Sequence, residues 1–274
     1  MTDLKDVAIV TGAASGMGEA AARLLMDDGW PVLLCDLKTG PLNHDTKNAG
    51  GLAEVLTADI SDPDFGQTLL AALSGRRIGA LIHCAGLSPT MATPEHILEV
   101  NLAATIRLVN TVRPHMAAGG CAVLFSSSGA HILGSSLDEQ INRVRTPEAV
   151  SSLHALATDS GSAYTISKRA VMLLVEREAR AFGTSGARIV SLSPGIIDTP
   201  MGRKEMEQQP IMHKMVEMTP LPRTARPEEI AAVAVFLCSP AASFITGTDI
   251  LVDGGKIAVL VGAARQDDLS GLGE

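Results

Sequence analysis

The sequence predicts a single doubly wound α/β domain, and three features carry that expectation. Short β-rich apolar runs alternate with helical patterns, the first run leads into a glycine-rich turn and a helix, and 274 residues, 46% of them apolar, suffice for one sizeable core. The domain is expected to span 1–274.

Composition narrows the function. With 22 basic against 30 acidic residues, a net charge of −8 and no long run of one sign, the chain lacks the clustered cations of a nucleic-acid surface. Cys35, Cys84, Cys121 and Cys238 are scattered without a CxxC pair, which fits buried free thiols in a reducing compartment. The start, Met1-Thr-Asp-Leu-Lys-Asp6, lacks the basic-then-apolar pattern of a secretory signal, and no apolar run approaches the ~18 residues of a bilayer span. A cytoplasmic protein with no nucleic-acid or membrane partner is expected.

Val7–Val10 reads as the first strand, Thr11-Gly12-Ala-Ala-Ser15-Gly16-Met17-Gly18 as a turn, and Glu19–Met26 as a helix. That order makes a dinucleotide crevice: bare backbone approaches the pyrophosphate and the helix N-terminus faces it. Gly29–Asp36 is a turn and a second strand, and Asp36, with Leu37 beside it, stands eighteen residues after Gly18. A carboxylate there accepts hydrogen bonds from the adenosine ribose and repels a 2′-phosphate. No arginine neighbours it, so NAD is expected over NADP.

Residues 38–52 form a loop, Ala53–Ala58 a brief third strand, Phe65–Leu73 an amphipathic helix and Gly79–His83 the fourth strand, followed by Cys84-Ala85-Gly86. His83 reads as a packed or capped histidine. Pro94–Val112 has the apolar spacing of a long helix, with Ile97, Val100, Ala104 and Leu108 on one face. Asn101 inside it is a poor helix former and needs a reason, either a cap or a core polar contact.

Cys121–Phe125 is the fifth strand and runs into Ser126-Ser127-Ser128. A hydroxyl at the C-terminal end of a parallel strand stands over the crevice, where it can orient and polarise a carbonyl oxygen. Three serines compete for that place. Leu137–Val144 and Pro147–Leu156 show helical spacing; His131 and His154 lie in this region without the carboxylate or thiol neighbours of a metal site, and no metal is expected. Ala187–Leu192 is the sixth strand.

The catalytic signal is Tyr164, the only tyrosine in the chain, with Lys168 four positions later. On a helix these positions share a face, so phenol and ammonium can enter one cleft. A nearby positive charge favours phenolate and moves a group that titrates near ~10 toward a pH where it exchanges protons.

The spacing Thr11-Gly12-x-x-x-Gly16-x-Gly18 with Ser162-Ala-Tyr164-Thr-Ile-Ser-Lys168 resembles the classical short-chain dehydrogenase/reductase family. The resemblance covers about 5–260. It implies a Rossmann-type sheet of about seven parallel strands with helices on both faces, the last of them in Phe244–Gly255. It further implies adenine contacts from Asp59 and Ile60, passage for the cofactor along Ala85 and Gly86, and a nicotinamide loop over Pro194, Gly195, Ile197 and Thr199. In that loop the Ile197 backbone and the Thr199 hydroxyl would hold the carboxamide. Asn101 would hold a helix kink and a water linking Lys168 to solvent, and alignment of the serines favours Ser128, with Ser127 next. Where the family has Asn-Asn, this chain has His83-Cys84. The insertion over 131–161, with Cys84–Pro89 and the segment after Pro200, resembles the bacterial 3α-hydroxysteroid dehydrogenase/carbonyl reductase branch. Family members also imply a homodimer or homotetramer.

The reaction so implied is NAD-dependent interconversion of a secondary alcohol and its ketone, with Tyr164 and Lys168 handling the proton and Ser128 holding the oxygen. Over 200–224 a lid is expected, where Met201, Met206, Met212, Met215 and Met218 face either substrate or one another. No arginine cluster offers itself to a carboxylate or phosphate, which favours a neutral alicyclic or aromatic substrate; a steroid, a terpenoid alcohol and a cyclic diol stay open. The rivals are a non-catalytic NAD-binding regulator, a sugar-nucleotide epimerase or dehydratase, and a methyltransferase. The tail from Val259 is expected to fray.

Overall fold

The computed structural model describes residues 6–38, 51–133 and 135–260. Strands β1 (Val7–Thr11), β2 (Val32–Asp36), β3 (Ala53–Thr57), β4 (Ile78–His83), β5 (Met116–Phe125), β6 (Arg188–Pro194) and β7 (Asp249–Val252) form one sheet in the order 3-2-1-4-5-6-7. Every neighbouring pair is parallel. The order reverses between β1 and β4, and at such a switch point the C-terminal strand ends open a crevice.

Alternation along the strands feeds two cores. Ile9, Leu33, Leu81, Leu124 and Ile189 face one, shared with α2 (Phe65–Leu73), the 94–112 segment and α6 (Ser160–Thr184). Ala8, Val10, Leu34, Ile82, Val123 and Val190 face the other, covered by α1 (Gly16–Asp27) and α9 (Pro227–Cys238). Burial on both faces is why these strands read as continuous apolar runs.

The expected single helix over 94–112 is instead α3 (Pro94–Leu98), a π turn (Glu99–Ala103) and α4 (Ala104–Val112). The π turn is centred on Asn101, and the irregularity sits where helix propensity is weakest. The insertion holds less helix than expected: α5 (Asp138–Asn142) and a 3₁₀ segment over Glu148–Leu153. It is nonetheless docked. Arg169 Nε donates to Asp138 at 2.8 Å, and His131 Nε2 lies 2.9 Å from Asp249 at the start of β7.

The segment expected as a lid comprises α7 (Pro200–Gln208) and α8 (Ile211–Met218). Helix α9 went unread in the sequence, although Pro227 at its first turn and Glu229, which accepts from the Arg226 backbone N–H at 2.8 Å, are start signals. Cys121 of β5 and Cys238 at the end of α9 lie within hydrogen-bonding reach of each other, both as free thiols. The loop expected over 38–52 lies outside the described residues from 39 to 50, as does the tail from 261. Among the described residues no helix is long and apolar enough to cross a membrane, and no group of His, Cys, Asp or Glu could hold a metal ion.

Candidate active site

The glycine turn is shaped by what a side chain would strike. A Cβ on Gly12, whose φ is +68°, would come within 2.8 Å of the Ala85 backbone nitrogen, and one on Gly18 would overlap the Gly12 carbonyl at 2.1 Å. Strand β1, the loop after β4 and the start of α1 therefore pack backbone to backbone. Ser15 is the N-cap of α1, yet its hydroxyl caps no backbone N–H, so the first turn keeps its donors for an anion. At the end of β2, Asp36 accepts from the Ala14 backbone N–H at 3.0 Å and from that of Lys38 at 3.1 Å. Its carboxylate is thus fixed at the mouth of the turn.

Helix α6 carries Tyr164 and Lys168 after a capping box in which Asp159 accepts from the Ser162 N–H at 2.8 Å. The two side chains converge: Lys168 Nζ lies 5.8 Å from the Tyr164 ring centroid and donates to the Phe125 carbonyl at 2.9 Å. Glycine at position 86 leaves them room, since a Cβ there would stand 3.4 Å from Nζ and 3.0 Å from Asn101 Oδ1.

Three serines follow β5, and they differ in their surroundings. Ser126 donates to the Lys168 carbonyl at 2.8 Å and pins β5 to α6. The Ser127 hydroxyl accepts from the Gly129 N–H at 3.2 Å and lies within hydrogen-bonding reach of the Tyr164 phenol. Ser128 begins a 3₁₀ turn and is 1% exposed, turned into the protein. Alignment favours Ser128 with Ser127 next; the serine beside the phenol is Ser127, while of the three only Ser126 lines the cavity.

The electrostatics also differ from expectation. Burial pushes the Tyr164 phenol up to about 12, the Ser127 hydrogen bond acts downward, and the charge of Glu205 acts upward. Burial outweighs the Ser127 hydrogen bond at the phenol. Burial also lowers Lys168 to about 8, with Cys84 acting in the opposite sense.

Asn101 does not line the cavity. It pins the adjoining loop: its Oδ1 accepts from the Leu87 N–H at 2.7 Å and its Nδ2 donates to the Leu87 carbonyl at 2.9 Å. His83 ties this unit to the sheet. Thr105 donates to the Asn101 carbonyl, so it must accept from His83 Nε2 at 2.9 Å, which leaves Nδ1 to accept from Thr11 at 2.7 Å. The imidazole is neutral, its pKa driven down to about 3, first by burial and then by Lys168.

One cavity of about 330 Å³ at the switch point brings the expected positions together. Gly12, Ser15, Gly16, Met17, Gly18, Asp36, Leu37, Asp59, Ile60, Ala85, Gly86, Tyr164, Lys168 and Thr199 all line it. Pro194, Gly195 and Ile197 do not. Gly195 and Ile197 line a separate, smaller cavity: Gly195 backs onto Asp253, and Ile197 pairs with Ala225. Of Met201, Met206, Met212, Met215 and Met218, only Met201 reaches the main cavity, while Met218 is exposed. Cys84, Leu87, Met91, His96 and Val100, not among the expected site residues, also line it; Cys84 and Leu87 flank the expected Ala85 and Gly86, and Val100 has helical spacing with Ile97.

Comparison with known proteins follows the same lines. A family model described as short chain dehydrogenase matches residues 6–136, and one described as Enoyl-(Acyl carrier protein) reductase matches 148–256. The chain is 35% identical to the short-chain dehydrogenase/reductase bsc3 of Alternaria brassicicola over 92% of this chain and 96% of that protein. It is 33% identical to cis-4-hydroxycyclohexanecarboxylate dehydrogenase of Sinomonas cyclohexanicum over 92% and 97%. Among solved structures it is similar to the 3-alpha-hydroxysteroid dehydrogenase from Pseudomonas sp. B-0831 complexed with NADH, with a TM-score of 0.78, 26% identity and coverage of 93% and 98%.

Proposed function

The chain belongs to the short-chain dehydrogenase family of nicotinamide-dependent oxidoreductases, and from that premise we propose that it uses NAD to interconvert a neutral, alicyclic or aromatic secondary alcohol and its ketone. The observation that carries this reading is that Tyr164 and Lys168 line the same cavity as the glycine turn and Asp36. The cradle fits a dinucleotide: side chains are excluded at Gly12 and Gly18, the first turn of α1 keeps free donors, and Asp36 stands where a ribose would lie. Its carboxylate supports NAD over NADP, since a 2′-phosphate beside it would be repelled.

A bound nicotinamide would supply hydride chemistry, as acceptor toward the alcohol carbon or donor toward the ketone. The chain's own residues handle the proton and the oxygen. In the oxidative direction the deprotonated Tyr164 oxygen takes the hydroxyl proton, and the ketone forms as the hydride leaves; reduction reverses both transfers. Ser127 donates to the substrate oxygen and fixes its distance from the phenol. Lys168, held by the Phe125 carbonyl, supplies positive charge beside the phenolate and a donor for the nicotinamide ribose. Thr199 accepts from the Gly202 N–H at 2.9 Å, which leaves its own proton for the carboxamide.

Four free cysteines support a reducing, cytoplasmic setting. The exposed Leu251 within the edge strand β7 and the exposed Phe244 just before it support a homodimer or homotetramer. The purified protein, given NAD or NADP with cyclohexanol, 1,4-cyclohexanediol, 4-aminocyclohexanol, 4-hydroxycyclohexanecarboxylate and hydroxysteroids, tests the reading through the absorbance of reduced cofactor. Turnover of at least one alcohol, faster with NAD, is expected. Cofactor binding without any turnover, or preference for NADP, would overturn it.

A further inference from the structure

We propose that His131 is a positioning residue for the proton-transfer site: its hydrogen bond to Asp249 fixes the turn that holds Ser127 beside the Tyr164 phenol. The inference rests on the proposed function, in which Ser127 donates to the substrate oxygen. Ser127 is the N-cap of the 3₁₀ turn Ser128–His131, and the turn closes on it: its carbonyl accepts from the Ala130 N–H at 3.0 Å and its hydroxyl from the Gly129 N–H at 3.2 Å. His131 is the other end of that turn. Its Nε2 lies 2.9 Å from Asp249 Oδ2, and because a carboxylate only accepts, the imidazole donates. The second oxygen, Oδ1, accepts from the Ser193 hydroxyl at 2.9 Å, so neighbouring strands β6 and β7 hold the carboxylate at the sheet.

A 3₁₀ turn this short has poor hydrogen-bond geometry of its own, so its orientation comes from what anchors it. On the strand side the anchor is Ser126, bonded to the Lys168 carbonyl on α6. On the far side, burial of Ala130 keeps the turn inside the protein, but apolar burial is non-directional and does not fix rotation. The directional tie is His131 to Asp249, whose side chain is 9% exposed, so water competes little for the bond. Ile132, the next residue, is 57% exposed and adds no anchor. The neighbouring Arg169–Asp138 pair ties α6, the helix of Tyr164, to the same insertion. One tie thus holds the turn of Ser127 and the other the helix of Tyr164, and a small shift of either separates hydroxyl from phenol.

The test combines single and double substitutions. His131→Ala should lower kcat by roughly tenfold while NAD affinity, read by calorimetry, is unchanged. His131→Phe, which keeps a ring but no donor, should match it, and His131→Gln, which keeps a donor for Asp249, should recover most of the loss. In a Ser127→Ala background His131→Ala should cost nothing further, because the hydroxyl it positions is gone. A merely structural role would lower kcat by the same factor in both backgrounds. Protein labelled at tyrosine Cζ gives one ring resonance, since Tyr164 is the only tyrosine. At neutral pH that resonance should move in the same direction in His131→Ala as in Ser127→Ala, and no further in the double variant. This readout needs no turnover: a protein that oxidises no alcohol overturns the proposed function, while the resonance still decides the inference. An equal loss of kcat in both backgrounds, or a Tyr164 resonance unmoved in folded His131→Ala or His131→Phe, would overturn it.

Discussion

The Nδ1 atom of His83 lies 2.7 Å from the hydroxyl of Thr11, joining β4 to β1 directly beneath the cofactor turn. With Thr105 on the other ring nitrogen, one neutral imidazole couples the sheet to the π turn that holds Asn101. The histidine bridges both sides of the switch point where the family pattern has asparagine.

This bridge predicts a pH signature of stability. The folded pKa of His83, about 3, is below its ordinary 6.5, so the unfolded chain binds the extra proton and stability falls as pH drops from about 6.5 toward 3. The contribution is complete above that window. Chemical denaturation of the native protein and His83→Asn across it should show a difference in slope of about one proton, on the order of 1.4 kcal/mol per pKa unit of depression. Parallel slopes would mean the ring titrates normally.

Tyr164 can be titrated alone, since the chain has no other tyrosine. Ultraviolet difference titration of the cofactor-free protein should give a phenol midpoint near 12, raised by burial. A midpoint at or below 10 would show that Lys168 prevails over desolvation.

The two serines separate by mutation. Ser127→Ala should lower kcat by about 10²-fold, the usual cost of losing one donor to a reacting oxygen. Ser128→Ala, buried in its 3₁₀ turn, should keep most of the turnover. Steady-state kinetics of both variants on one alcohol decide; the reverse order would restore the alignment's choice.

Asp36→Ala should weaken NAD and relieve the repulsion of a 2′-phosphate. The ratio of kcat/KM for NAD to that for NADP is expected to fall by roughly tenfold or more. An unchanged ratio would place cofactor choice elsewhere.

What the sequence revealed and what it hid divide by range. Gly12, Gly18, Asp36 and the Tyr164 and Lys168 pair were legible because their chemistry depends on local order: strand, turn, helix, or one helical face. The alternation of strands and helices pointed to a doubly wound sheet, and the resemblance to the family implied its seven parallel strands. Which serine meets the phenol was not legible, because it depends on where β5 yields to a 3₁₀ turn beside α6, to which Ser126 is bonded. The phenol's raised pKa was hidden for a related reason: spacing places the lysine, but burial sets the balance. His83 read as merely packed because Thr11 and Thr105 reach it from 72 and 22 residues away.

The account turns on proton transfer through the Tyr164 oxygen. Single-turnover hydride transfer in Tyr164→Phe, measured beside NAD affinity, tests it most directly. A loss of ~10² to 10⁴ in rate with cofactor binding unchanged is predicted. A variant that binds NAD and keeps most of the native rate would contradict it.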